Sequence, residues 1–172
     1  MHTIVYLLDV SRKDVEKVLN KHYVYVSKKV EIEKLSEEQR QDYLVRINKL
    51  SDDVRQRFLS DTDQWNMEND GDTYLYITFY DDFDFEFEPE EIESLKVSLG
   101  KMPDVSVIAH ISGRHSGTLQ VHYFVSSLLS VFRGYAKDEY TDHLWILDEI
   151  INNVLVEGHC FFDYNGWYLQ HN

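Results

Sequence analysis

The densest grouping of side chains able to do chemistry is His110, Ser112, Arg114, His115 and Ser116, which could supply a base and an anion-binding cation. These residues fall where a buried-type strand should pass into a helix, a loop position at which binding groups often sit. No reaction signature accompanies them. There is no G-x-S-x-G elbow, the His-x-Ser of His110 to Ser112 has no second copy, and Gly113 and Gly117 are too few and wrongly spaced to cradle a phosphate. Turn and capping chemistry accounts for the same residues. The enzyme reading is a small hydrolase or transferase using His110, Arg114 and His115.

Metal chemistry has less to work with. The 8 histidines include no i, i+4 pair, and Cys160 beside His159 has no second cysteine with which to build a structural zinc site. Asp61, Asp63, Asp70 and Asp72 offer oxygen ligands for calcium, but Trp65 takes the fifth position counted from Asp61 and the terminal Glu pattern is missing. No metal or cofactor is expected. Carboxylate pairs for glycoside chemistry can be drawn anywhere between Asp81 and Glu93, and that abundance singles out no raised-pKa acid.

Those carboxylates matter more as a field. The formal net charge is -14, and its source is local: thirteen acidic residues from Asp61 to Glu93 face no Lys or Arg. A field so concentrated repels nucleic acid and membrane surfaces and attracts basic partners. Its bland counterpart is ordinary solubility and edge protection on an outward strand face.

Several elements must position these groups. Thr3 to Val10 reads as a central strand with apolar residues on both faces. A helix should follow, capped by Ser11 and Asp14 and carrying Val15, Val18 and Leu19, and a strand should begin at Tyr23. Ser36 with Gln39 marks the start of a helix whose Tyr43, Leu44, Ile47 and Leu50 share one face, and Ser51 restarts a second helix. Asn69 to Gly71 is a turn and a strand begins near Thr73.

From Leu75 the alternation is long. Leu75, Ile77, Phe79, Phe83, Phe85 and Phe87 form an aromatic core side, while Tyr74, Tyr76, Thr78 and Tyr80 lead into an outward carboxylate row of Asp82, Asp84, Glu86 and Glu88. A bulge is expected near Asp81 and Asp82. Pro89 opens a helix favoured by Glu90 and Glu91 and stopped by Gly100. Val105 to Ile111 is a buried strand, and a helix carrying Leu119, Tyr123, Leu128, Leu129 and Phe132 is closed by Gly134. Leu147 to Val154 is a last helix, and Asn165-Gly166 between aromatic runs predicts a C-terminal hairpin. The expected fold is α+β: one domain over residues 1–172, a mixed or mainly antiparallel sheet packed with helices.

Composition agrees. With 172 residues, 43% hydrophobic, 7 Gly and 2 Pro, the chain is neither disordered nor collagenous. A chain this long buries roughly 70% of its unfolded surface without disulfides. The lone Cys160, the absence of a basic-apolar leader and the lack of a long apolar run predict a soluble cytoplasmic protein.

The stretch from Ile111 to Ile150, with Ser112-Gly113-Arg114, an apolar helix into Phe132-Arg133-Gly134, Asp138, and Trp145-Ile146-Leu147-Asp148-Glu149-Ile150, resembles small immunity proteins of bacterial polymorphic toxin systems. The resemblance implies a compact α+β cytoplasmic protein that binds and neutralises a toxin without doing chemistry. It assigns no contact residues, and Trp145 as core, Glu149 as early-helix charge and Arg114 as a buried anchor have structural readings.

Charge supplies the expected contact surface: Tyr74, Tyr76, Tyr80, Asp82, Asp84, Glu86 and Glu88, facing a basic protein such as a toxin nuclease. A DNA-mimic protein would share that surface and differ in its partner. Homo-oligomerisation stays open, and no direct contact with nucleic acid or membrane is expected.

Overall fold

The structure is a computed structural model describing residues 1–27, 34–49, 63–67, 73–80, 88–113, 117–163, 165–166 and 168, with Ser27, Ile47, Thr73, Tyr74, Ser112 and Gly113 described by backbone alone. Its strands are β1 (His2–Leu8), β2 (Val24–Ser27), β3 (Asp63–Asn66), β4 (Thr73–Phe79), β5 (Val105–Gly113) and β6 (Arg133–Lys137). The helices are α1 (Arg12–His22), α2 (Glu37–Asn48), α3 (Pro89–Leu99), α4 (Thr118–Leu129) and α5 (Leu147–Ile151). The strands form one sheet in the order β2-β3-β4-β5-β1-β6, and every neighbouring pair is antiparallel. The fold is α+β.

β1 is apolar on both phases because both of its faces are covered. Val5 and Leu7 join the larger core with Leu75, Ile77, Val107 and Ala109, beneath Val15 and Leu19 of α1 and Val121, Phe124 and Leu128 of α4. Ile4 and Tyr6 point the other way and join Ile108 and Tyr80 under Leu99 of α3. Each fully buried Leu or Phe contributes about 1.5–3 kcal/mol relative to exposure, so the larger core dominates stability.

Local signals hold at several helix starts. Ser11 Oγ accepts from the Asp14 N–H at 3.3 Å, and Ser36 and Gln39 exchange backbone-to-side-chain bonds of 3.0 and 3.2 Å. In α2, however, no residue whose side chain is described is buried, and Leu44 is exposed. Gly100 ends α3 with φ of 80°, a left-handed conformation that favours glycine.

Other expectations are corrected. Gly134 lies within β6, not at a helix stop. A Cβ there would meet the Tyr6 carbonyl oxygen at 2.2 Å, so the residue permits close approach of β6 to β1. β3 and β6 are strands where none was expected. In α4, Leu119 and Tyr123 are exposed, and the buried face is Val121, Phe124, Val125 and Leu128.

The C-terminal hairpin at Asn165-Gly166 is not found among the described residues. Phe161 and Phe162 occupy a turn, and Asn165 and Gly166 have helical backbone. A tight reversal occurs earlier, where Val156 and His159 exchange bonds of 2.8 and 3.0 Å around Glu157 and Gly158, both at positive φ. That is the backbone of a two-residue hairpin turn built on Glu-Gly instead of Asn-Gly. The restarted helix at Ser51 and the turn at Asn69 to Gly71 lie outside the described residues. No described helix is long and apolar enough to cross a membrane.

Candidate partner-binding surface

The last part of the acidic segment, Glu88 to Glu93, enters the structure at the start of α3. Glu88 has extended backbone and donates its N–H to Glu91 Oε2 at 2.8 Å, and Pro89 begins the helix where a missing N–H costs nothing. Leu95 and Leu99 turn toward the sheet, so Glu88, Glu90, Glu91 and Glu93 are left exposed. Lys96 reaches Glu93 at 3.4 Å across a solvent-exposed pair.

A cleft of about 420 Å³ separates α3 from the segment 137–144. Tyr6, Leu95 and Leu144 form its apolar lining, Glu90 and Glu91 stand on the helix side, and Asp142 stands on the loop side. Burial pushes the Tyr6 phenol above its usual range, so it stays protonated. Lys137, on the loop side, has Nζ 3.3 Å from Asp142 Oδ1. A second hollow of about 420 Å³ adjoins across Lys137 and Asp142 and carries His2, Glu139 and Glu157. There Glu139 Oε1 accepts from the His2 N–H at 3.1 Å and also faces His2 Nδ1.

The loop forming the far bank is held by Asp138, which is buried. Its Oδ1 accepts from the N–H groups of Tyr140 and Thr141 and from Thr141 Oγ1, and its Oδ2 accepts from the Phe162 N–H at 2.8 Å. This carboxylate is consumed by structure. Glu149 is similar: burial disfavours its charge, but hydrogen bonds from His143 and the Ile146 N–H outweigh that and hold its carboxyl below the usual glutamate range. Trp145 is fully buried and bridges Ala136 at the outer edge of β6.

The residues expected to meet a partner separate. Tyr76 is half-buried, its ring stacked on His110 at 4.6 Å and 16°. Tyr80 is 7% exposed and packs into the smaller core, which corrects its expected outward position: its phase of the strand is covered by α3. Thr78, on the same phase, is also buried. Tyr74 has its backbone paired opposite Ser112. Glu88 is exposed at the start of α3, while Asp82, Asp84 and Glu86 lie outside the described residues.

The reactive-looking loop is also redrawn. β5 continues to Gly113, so His110 is a strand residue between Tyr76 and His2, and Arg114, His115 and Ser116 lie outside the described residues. Asp63 belongs to β3, where its Oδ1 accepts from the Tyr25 hydroxyl at 2.6 Å and its Oδ2 lies 3.5 Å from Arg12. Among the described residues no group of three or more His, Cys, Asp or Glu could hold a metal ion.

A closed ion cluster occupies the far end of β1. Lys101 bonds both Asp9 and Asp104 at 2.9 Å, and the Lys101 ammonium together with the Asp9 N–H holds the Asp104 carboxyl below its usual range. Opposite charges there pair two carboxylates with Lys101 and Arg133. Sequence reading missed Lys137, Glu139, Asp142 and Leu144, because nothing in their spacing ties that loop to a helix more than forty residues earlier.

These features define an α+β protein with an acidic cleft on one sheet face. Comparison with protein-family models, curated proteins and solved structures finds no match.

Proposed function

We propose that the chain is an inhibitory binding protein of the immunity type, acting in the cytoplasm on a basic partner such as a toxin nuclease. One observation carries this reading: the exposed carboxylates of α3 continue the acidic run of the sequence and face a second acidic loop across a cleft. Charge of this kind accelerates encounter and selects basic partners, while the apolar lining supplies area to bury. The resemblance of residues 111–150 to immunity proteins adds support, with Asp138, Trp145 and Glu149 serving the scaffold.

Affinity capture from the native lysate, at low and high salt, tests the proposal with the wild type and the combined variant Asp82→Asn, Asp84→Asn, Glu86→Gln, Glu88→Gln. The expected result is a basic protein held by the wild type, released by salt and lost with the variant, whose thermal transition is retained. Absence of any salt-released partner would return the acidic segment to a solubility role.

A further inference from the structure

We infer that the cleft between α3 and the 137–144 segment receives an arginine side chain of the basic partner. The inference rests on the binding-protein reading and names the chemistry that the surface would recognise.

The smaller core is unfinished on this side. Leu95 and Leu144 pack against it yet remain partly exposed at the cleft, beside the edge of Tyr6. An ammonium or guanidinium on a methylene stem suits such a hollow, because the stem covers apolar surface while the charged head stays at the rim. The rim offers Glu90 and Glu91 on one bank and Asp142 on the other, with the Ser94 and Ser98 hydroxyls one helical turn apart along the same wall.

Arginine fits better than lysine. Its planar head spreads five N–H donors in a fork and can address carboxylates on two sides at once, whereas an ammonium is a compact point charge. The protein already places one cation here: Lys137, at the end of β6, lines the cleft and reaches Asp142. Lys137 thus stands as an internal competitor for an incoming guanidinium, and an anionic ligand would have to enter past three carboxylates to reach it.

The test is an amide NMR titration of the full chain with acetyl-Gly-Arg-Gly-amide and with its citrulline counterpart, which keeps the shape and loses the charge. The arginine peptide should shift the Ser94, Leu95, Ser98 and Leu144 signals saturably, and the citrulline peptide should not. Lys137→Met should tighten arginine-peptide binding roughly two- to fivefold by removing a like charge, and Asp142→Asn should weaken it by a similar factor.

Equal response to citrulline, shifts confined to other surfaces, or loss of binding in Lys137→Met would overturn the inference. The last would mark Lys137 as the anchor of an anion. A salt-released partner captured by a chain whose cleft ignores the arginine peptide would remove this inference and leave the proposed function standing; an occupied cleft without any captured partner would remove both as stated and leave only an arginine-binding cleft.

Discussion

Beneath α1 and α4 the sheet is sealed by interlocking apolar side chains from five strands, and the C-terminal turn adds Phe161 and Phe162; beneath α3 a handful of residues make a second core whose leucines still reach a cleft. Carboxylates follow the same division. The Asp138 carboxylate, tied to Phe162 of the larger core, is buried and its oxygens accept four bonds, while on α3 Glu90 and Glu93 remain exposed. The contrast shows one sheet using its faces for different ends: one for cohesion, the other for a charged surface left available to a partner. Acidic residues that outnumber the nearby cations raise self-repulsion, and a cationic partner relieves it.

Substitutions can break this contrast. The largest expected effect is Phe162→Ala, which removes a fully buried ring on the sealed side and should cost about 3–5 kcal/mol. Calorimetry should then record a melting temperature lower by roughly 10 °C; a change near zero would mean that the C-terminal turn is not part of the cooperative core.

Asp138→Ala comes next. It strands the N–H groups of Tyr140, Thr141 and Phe162, and the expected loss is about 2–4 kcal/mol by urea denaturation. Because the same carboxylate anchors Phe162, the double variant should fall short of the sum of the singles. Full additivity would separate the loop from the turn.

The smallest effect concerns pH. The Glu149 carboxyl titrates below its unfolded value, so its contribution is complete above the ordinary glutamate range and is lost as pH falls through the lowered folded value. Glu149→Gln should therefore flatten the acid limb of the stability profile, measured as unfolding midpoints between neutral and acidic pH. An unchanged slope would assign that limb to other carboxylates.

Much of the framework was legible in the residues. Ser11, Ser36 and Pro89 mark helix starts through short-range bonds that need no tertiary partner, and the two-phase apolar run of β1 announces a strand covered on both sides. Shorter strands were not legible. β3 is four residues of mixed polarity and β6 contains Gly134, so neither carries an alternation that stands out, and both are strands because their neighbours offer a ladder. Tyr80 was read outward from its phase, and the phase was right; what its face meets depends on where α3 docks. The reversal at Glu157-Gly158 escaped for a related reason: a glutamate at positive φ is held by surroundings that a dipeptide does not reveal.

The candidate surface divides along the same line. Its acidity belongs to the sequence alone, because charge is a property of composition and the run from Asp61 to Glu93 contains no compensating cation. Helix starts and the central strand belong there too, since nearest-neighbour hydrogen bonding and side-chain periodicity decide them. The cleft does not. Glu90 and Asp142 are far apart in the chain, and only the docking of α3 on one face of β1, with Asp138 folding the loop beyond β6, sets their two banks around Leu95 and Leu144. Long-range packing chooses which carboxylates become neighbours, and no local spacing encodes that choice.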